Sequence, residues 1–214
     1  MIDEPDVETG YVAPELAAEF PDLALAYACV EARPRRSPGE VRERLRHAGD
    51  RFTGARAVAM RQQPIPHAYR VFFRHIGIDP DERPTPIEAI AIERMRAGGF
   101  HSHGLVDDAL LLATLETGVP VQAFDAGALE GRIGLRVAAT GEQLGEHRPL
   151  HAGRVVIADE RRPLAILFGE AGERAAIRRS TTRVAVAAIR VAGVPSVSVD
   201  EALWTACETL LGAG

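Results

Sequence analysis

The sequence predicts an α+β fold, a sandwich-like sheet core with helices packed on its outside, and three observations carry that expectation. Between residues 64 and 117 apolar side chains recur at three- and four-residue steps. From residue 121 to 191, short β-branched or apolar runs alternate with turn signals. Residues 200–211 then return to a helical pattern.

Each element follows in order. Residues 1–20 mix acids with Pro and Gly, which predicts a loose acidic tail with a short helix after Pro14, ahead of one domain over residues 21–214. Residues 23–30 read as a first buried strand. Ser37-Pro38-Gly39-Glu40 reads as an N-cap, a first-turn proline and a charged helix running to about His47. Pro64 and Pro66 punctuate a loop before a helix over 67–76, whose apolar face is Tyr69, Phe72, Phe73 and Ile76 and which Gly77 stops. Thr85 and Glu88 form a capping-box pattern, and Ile87, Ile90, Ala91 and Met95 continue that helix's apolar face to Gly98-Gly99. These two helices are expected to pack together. A third helical pattern over 107–117 ends at Gly118 and Pro120. Strands are expected where Val121, Ala123 and Phe124 follow, then at 133–138, 154–158, 164–168 and 183–191, separated by Gly141-Glu142, Asp159-Glu160 and Gly169-Glu170. The last helix, 200–211, is expected to be capped by Asp200 and to bury Trp204 and Leu211.

With 214 residues, 46% hydrophobic and 26% charged, the composition is that of a compact globular domain. No cationic leader precedes an apolar run, and no apolar run approaches the roughly 18 residues of a spanning helix, so a cytoplasmic protein with no membrane partner is expected. Cys29 and Cys207 belong to no C-x-x-C unit and read as buried free thiols. All 25 basic residues are Arg, which fits codon bias or a preference for planar phosphate-binding forks. The net charge of -5 argues against a polyanionic partner, but its distribution softens that. Six acids and no base fall within residues 1–20, while residues 33–74 carry 11 Arg against Glu40, Glu43 and Asp50. A solvated helix face is the ordinary account of such a run.

The stretch from His103 to Asp125 holds the densest candidate chemistry: Asp107, Asp108, Glu116 and Asp125 surround a leucine-rich helix. Carboxylates at 107 and 108 have a plain role as helix caps facing the positive end of the dipole. Glu116 stands near the helix C-terminus, where a negative charge is unfavourable, and therefore calls for a ligand or an arginine partner. His101-x-His103 with Asp107 suggests a divalent-metal site, although polar loop contacts explain it as well. Ser180-Thr181-Thr182 ahead of a strand reads as a hydroxyl-rich pocket lip or as ordinary strand-edge threonine. No nucleophile elbow, Walker loop or dinucleotide fingerprint is present, and no cofactor is expected.

These segments resemble the B3/B4 domain of the phenylalanyl-tRNA synthetase beta subunit, and especially free-standing B3/B4 proteins. The likeness runs through AYRVFFRHIGIDPDERPTPIEAI (68–90), LVDDALLLATLETGVPVQAFD (105–125), Arg136, Gly141-Glu142, VVIADERRPLAILFGE (155–170) and TTRV (181–184), covering about residues 23–191. The resemblance implies a B3/B4-type sandwich, tRNA or aminoacyl-tRNA as partner, and a pocket for an amino-acid-like small molecule. In the synthetase that pocket hydrolyses tyrosine wrongly attached to phenylalanine tRNA. It places Glu116 at an acidic position associated with the tyrosine hydroxyl, and Glu116 and His103 are the catalytic candidates. Asp107, Phe124, Thr181, Arg70 and Arg83 become substrate-binding positions. Two departures stand out: the family typically has Asn where this chain has His103 and Leu110, which removes two amides and substitutes an imidazole able to act as a general base. Three functions follow as expectations: a trans-editing aminoacyl-tRNA hydrolase, a non-catalytic module binding tRNA, an amino acid or a related metabolite, and, behind these, a metal-dependent hydrolase using His101, His103 and Asp107.

Overall fold

One continuous segment near the start of the chain serves two sheets. The computed structural model describes residues 5–52 and 59–212; Asp3, Glu4 and Arg56, counted above in the charge distribution, lie outside these. Strand β1 (Val7–Thr9) pairs antiparallel with β3 (Ala24–Glu31), and β2 (Tyr11–Val12) pairs parallel with β5 (Gly134–Val137). Gly10 makes the handover: a Cβ there would lie 2.5 Å from Leu25 Cδ2 and 2.6 Å from the Ile133 carbonyl oxygen. The expected loose tail is therefore corrected. Glu8 sits on the exposed edge strand and Glu15 and Glu19 on α1 (Pro14–Glu19), while the backbone pairs with both sheets and Tyr27 donates to Glu8 Oε2 at 2.6 Å.

The first sheet has the order β1-β3-β10-β4, with β4 at Val121–Asp125 and β10 at Arg183–Arg190, all antiparallel. The second has the order β2-β5-β8-β9, with β8 at Val155–Ala158 and β9 at Pro163–Ile166. A short hairpin, β6 (Gln143–Leu144) and β7 (Arg148–Pro149), joins β5 to β8 and has no counterpart in the sequence expectation. Strand β10 is buried from Val184 to Ile189 on both parities, so both faces of the first sheet are covered there. The helix α6 (Ser196–Leu211) packs on β10 and β3, and residues of both sheets share one core. The α+β expectation holds.

Among the described residues five further α-helices surround this core: α1 (Pro14–Glu19), α2 (Gly39–Arg51), α3 (Pro64–His75), α4 (Pro86–Ala97) and α5 (Leu105–Thr117). Helix α3 starts at Pro64, so its two prolines occupy the first turn, where their missing N–H groups cost nothing. Its aromatic face enters the main core, whereas Ile87 and Ala91 of α4 join a satellite cluster with Phe52 and Met60. Helices α3 and α4 are thus tied less by a shared apolar face than by the buried Arg70–Glu88 ion pair. Strand β9 ends before Phe168, which takes a left-handed φ of 53° and turns its ring against Tyr69, Phe72 and Phe73. Helix α6 begins four residues before Asp200 and buries Val199, Ala202, Leu203, Ala206 and Leu210. Trp204 falls on the opposite side, 45% exposed, because the three- and four-residue steps of the buried set exclude it. Ser37 caps no helix; its hydroxyl turns to Asp108.

Tyr69 anchors α3 to the central strand by donating its buried hydroxyl to the Ile189 carbonyl at 2.7 Å. Burial pushes its phenol well above the ordinary range. Above about pH 10 the unfolded tyrosine ionises while the folded one does not, so Tyr69 contributes stability below that pH and loses it as pH rises. In urea titrations, Tyr69→Phe is expected to cost about 1 kcal/mol at pH 7. Between pH 10 and pH 12 the variant should escape an alkaline loss of about 1.4 kcal/mol per pH unit shown by the parent.

Candidate functional site

The site begins with a carboxylate that no ligand can reach. Asp108, in the first turn of α5, is 1% exposed and accepts three hydrogen bonds: Ser37 Oγ and Ser102 Oγ at 2.5 Å and the His103 amide at 3.0 Å. Its charge also opposes the positive end of the helix dipole. One side chain thereby fixes two loops, the one after β3 and the one before α5, onto the helix start. Gly104, at φ 134°, allows the entry turn, and the Leu105 amide donates to the Arg35 carbonyl at 2.8 Å.

Around this start lies a cleft of about 720 Å³ lined by Arg35, Arg36, Arg42, Arg178, Arg179, His103 and Asp107. Among the described residues none of the five arginines has a carboxylate within 4.0 Å, whereas Arg44, Arg70 and Arg136 each do. A guanidinium stays charged at any physiological pH, so the cleft carries a concentrated positive charge, with Asp107 the one acidic residue in its lining among the described residues. The Leu105 and Asp108 amides have backbone partners, while those of Val106 and Asp107 have none among the described residues. Free first-turn amides beside planar guanidinium forks suit a phosphate or another oxyanion.

The predicted residues scatter about this cleft. His103 and exposed Asp107 line it. Thr181 is buried and acts at one remove: its Oγ donates to Asp125 Oδ2 at 2.7 Å and accepts from the Arg178 amide at 3.0 Å, holding the Arg178-Arg179 turn. Phe124 is fully buried in the core and presents no surface to a ligand. Arg70 is also buried, bridging Glu88 at 2.5 Å and Asp81 at 2.6 Å, and its hydrogen bond holds the Asp81 carboxyl below the ordinary range. Glu88 also accepts from Thr85 in the capping box and lies 2.9 Å from Arg61, so Arg70 belongs to a structural network. Exposed Arg83 lines a different cleft of about 570 Å³, with Glu19, Glu82, His151 and Arg154.

Glu116 meets Arg44 of α2 at 3.2 Å, the arginine partner its position called for. It lies near the far end of α5 from His103, roughly 20 Å away at 1.5 Å per residue, so the two cannot act on one reacting atom. Leu110 packs against the core. The metal arrangement is not assembled: His101 Nε2 lies 3.2 Å from the Ala97 carbonyl oxygen. Among the described residues no group of three or more His, Cys, Asp or Glu is placed to share an ion. The arginines lining the cleft escaped sequence reasoning individually. Their signal was the doublets at 35–36 and 178–179, far apart in the chain.

A two-sheet α+β body thus carries an arginine-lined cleft at the start of α5. The B3/4 domain family model matches residues 68–202, and the chain belongs to that family. Curated relatives are phenylalanine–tRNA ligase beta subunits. Those of Legionella pneumophila (strain Lens), Pseudomonas putida and Nitrosococcus oceani are 35%, 35% and 38% identical over 43%, 47% and 42% of this chain. The matches span only 12%, 13% and 12% of those relatives' lengths. Among the described residues no helix is long and apolar enough to cross a membrane.

Replacing Asp108 by Ala strands two hydroxyls and an amide, and should lower unfolding free energy by on the order of 3 kcal/mol while speeding amide exchange at His103 and Leu105. Asp107→Ala, on the open face, should stay within about 0.5 kcal/mol of the parent. Arg70→Ala removes one of two guanidinium partners of buried Glu88, leaving Arg61 at 2.9 Å, and should cost about 1.5–3 kcal/mol in the same urea titration.

Proposed function

We propose that this protein binds tRNA through the arginine cleft and hydrolyses the ester of mischarged aminoacyl-tRNA in trans. The observation that carries the reading is the set of five arginines, without acidic partners among the described residues, gathered at the start of α5. Pairing such a cluster with phosphates releases counterions and supplies affinity that a net-negative chain otherwise lacks. The tRNA-ligase relatives support the choice of tRNA among polyanions. Arg35, Arg36 and Arg42 lie before the matched family segment and Arg178 and Arg179 within it, so the cleft joins both parts of the chain.

His103 lies on the cleft wall, where its imidazole can take a proton from an attacking water. The water oxygen bonds to the ester carbon, the Val106 and Asp107 amides face the developing oxyanion, and the ribose oxygen leaves with a proton. Asp107 orients the imidazole or the substrate ammonium. Glu116 takes no part in this step because of its distance.

One observation favours a second reading, a binding module for a free amino acid. The cleft containing Arg83 sets Arg83 and Arg154 beside Glu19 and Glu82 over Leu16, Phe20 and Val155, a mixture that suits a zwitterion with an apolar side chain.

Binding of tRNA should weaken with salt along a log–log slope of about -0.7 to -0.9 per phosphate contacted, and Arg35→Ala or Arg179→Ala should each flatten that slope by about 1. On a panel of mischarged tRNAs, the parent should accelerate ester hydrolysis, and His103→Ala should lose about 100-fold or more of the rate. Background rates across the panel would rule out the hydrolase, and a salt-independent interaction would rule out the cleft as a phosphate site.

A further inference from the structure

The opposite end of α5 opens into a second pocket of different character. It has a volume of about 380 Å³, and its walls include Phe52, Met60, Ile65, Pro66, Ile87 and Leu115. Phe52, Met60 and Ile87 belong to the satellite core, so the floor of the pocket is apolar and packed. Among the described residues, Glu116 is the one charged side chain in its lining.

The backbone sets the same sign of charge. Helix α5 ends at Gly118 in a left-handed turn whose amide bonds to the Thr114 carbonyl. The carbonyls of Leu115, Glu116 and Thr117 receive no hydrogen bond among the described residues, so the negative end of the helix is directed at this region. Helix α3 starts at the same pocket and would oppose that with its positive end. Two of its first three residues are Pro64 and Pro66, however, which have no N–H to offer, leaving the Ile65 amide alone. The existing partner of Glu116 is Arg44 at 3.2 Å, in a pair with side chains 39% and 42% exposed that water already screens.

We infer that this pocket binds a small apolar molecule carrying a primary ammonium, with the apolar body against Met60, Ile65 and Ile87 and the ammonium exchanging for Arg44 at Glu116. A compact –NH3+ offers three donors to Glu116 and the free helix carbonyls, which a neutral hydroxyl matches poorly and a carboxylate not at all. The volume sits at the small end of ligand pockets, which matches a single ring or a short branched chain. This site is independent of the arginine cleft at the other end of the helix, so neither reading depends on the other.

The test uses the full chain and three isosteric probes, benzylamine, benzyl alcohol and benzoate, titrated at pH 7 while following NMR signals of Met60, Ile65, Ile87 and Leu115. Benzylamine should bind at least tenfold more tightly than benzyl alcohol, and benzoate should leave these signals unmoved. Glu116→Gln, a change at an exposed position, should bring benzylamine down to the level of benzyl alcohol without altering alcohol binding. Arg44→Ala should strengthen benzylamine binding several-fold by removing the competing cation. Equal affinities for amine and alcohol, an unchanged benzylamine affinity in Glu116→Gln, or no movement of these signals at millimolar benzylamine would overturn the inference.

Discussion

Everything at the cleft depends on one buried carboxylate being fully satisfied. A carboxyl group taken out of water is costly unless its oxygens find donors, and Ser37, Ser102 and the His103 amide supply three to Asp108 from two separate loops. Its solvation requirement is what positions the arginines. The loop carrying Arg35 and Arg36 is held at Ser37, the loop carrying His103 is held at Ser102 and His103, and both meet the helix where its free amides lie. A parallel device holds the other wall, where Asp125 and Thr181 fix the Arg178-Arg179 turn. Buried acids and hydroxyls thus keep exposed cations together against their mutual repulsion.

The two ends of α5 illustrate how one helix divides electrostatic labour. Its start gathers guanidinium groups and unpaired amides, and its end gathers carbonyls and Glu116 over an apolar floor. The middle of the helix, by contrast, is closed: Ala109, Leu112 and Ala113 are fully buried against α6 and the sheet. Polar groups gather at the termini because an α-helix leaves its backbone groups without intrahelical partners only there.

Much of the fold was legible in the sequence because its signals were local. The Thr85–Glu88 capping box, the stop at Gly118 and the apolar run of β10 each depend on neighbours a few residues away. Glu116 was legible as an anomaly, since the helix dipole makes its position unfavourable without a cation, and Arg44 is that cation. What escaped was set by distant partners. The acids of residues 6–9 masked an edge strand that only β3 reveals. Whether Asp107 or Asp108 faces inward depends on loops whose serines lie elsewhere in the chain. Arg70 and Phe124 carry the family pattern yet serve packing, because motif order reveals position and not exposure. Trp204 points outward because small residues, not the largest one, meet the alanine-rich central strand.

The handover at Gly10 has a kinetic meaning as well. Tyr11 must find Gly134, a partner separated from it by most of the chain, and closing so long a loop is slow and entropically unfavourable. Strand β1 meets β3 across residues 10–23 alone, a connection that holds β2 and α1, and that far more local pairing delivers Tyr11 to the mouth of the second sheet. A distant search becomes a near one, and the two sheets are bound into a single cooperative unit. Neither can fray at this edge without releasing the other.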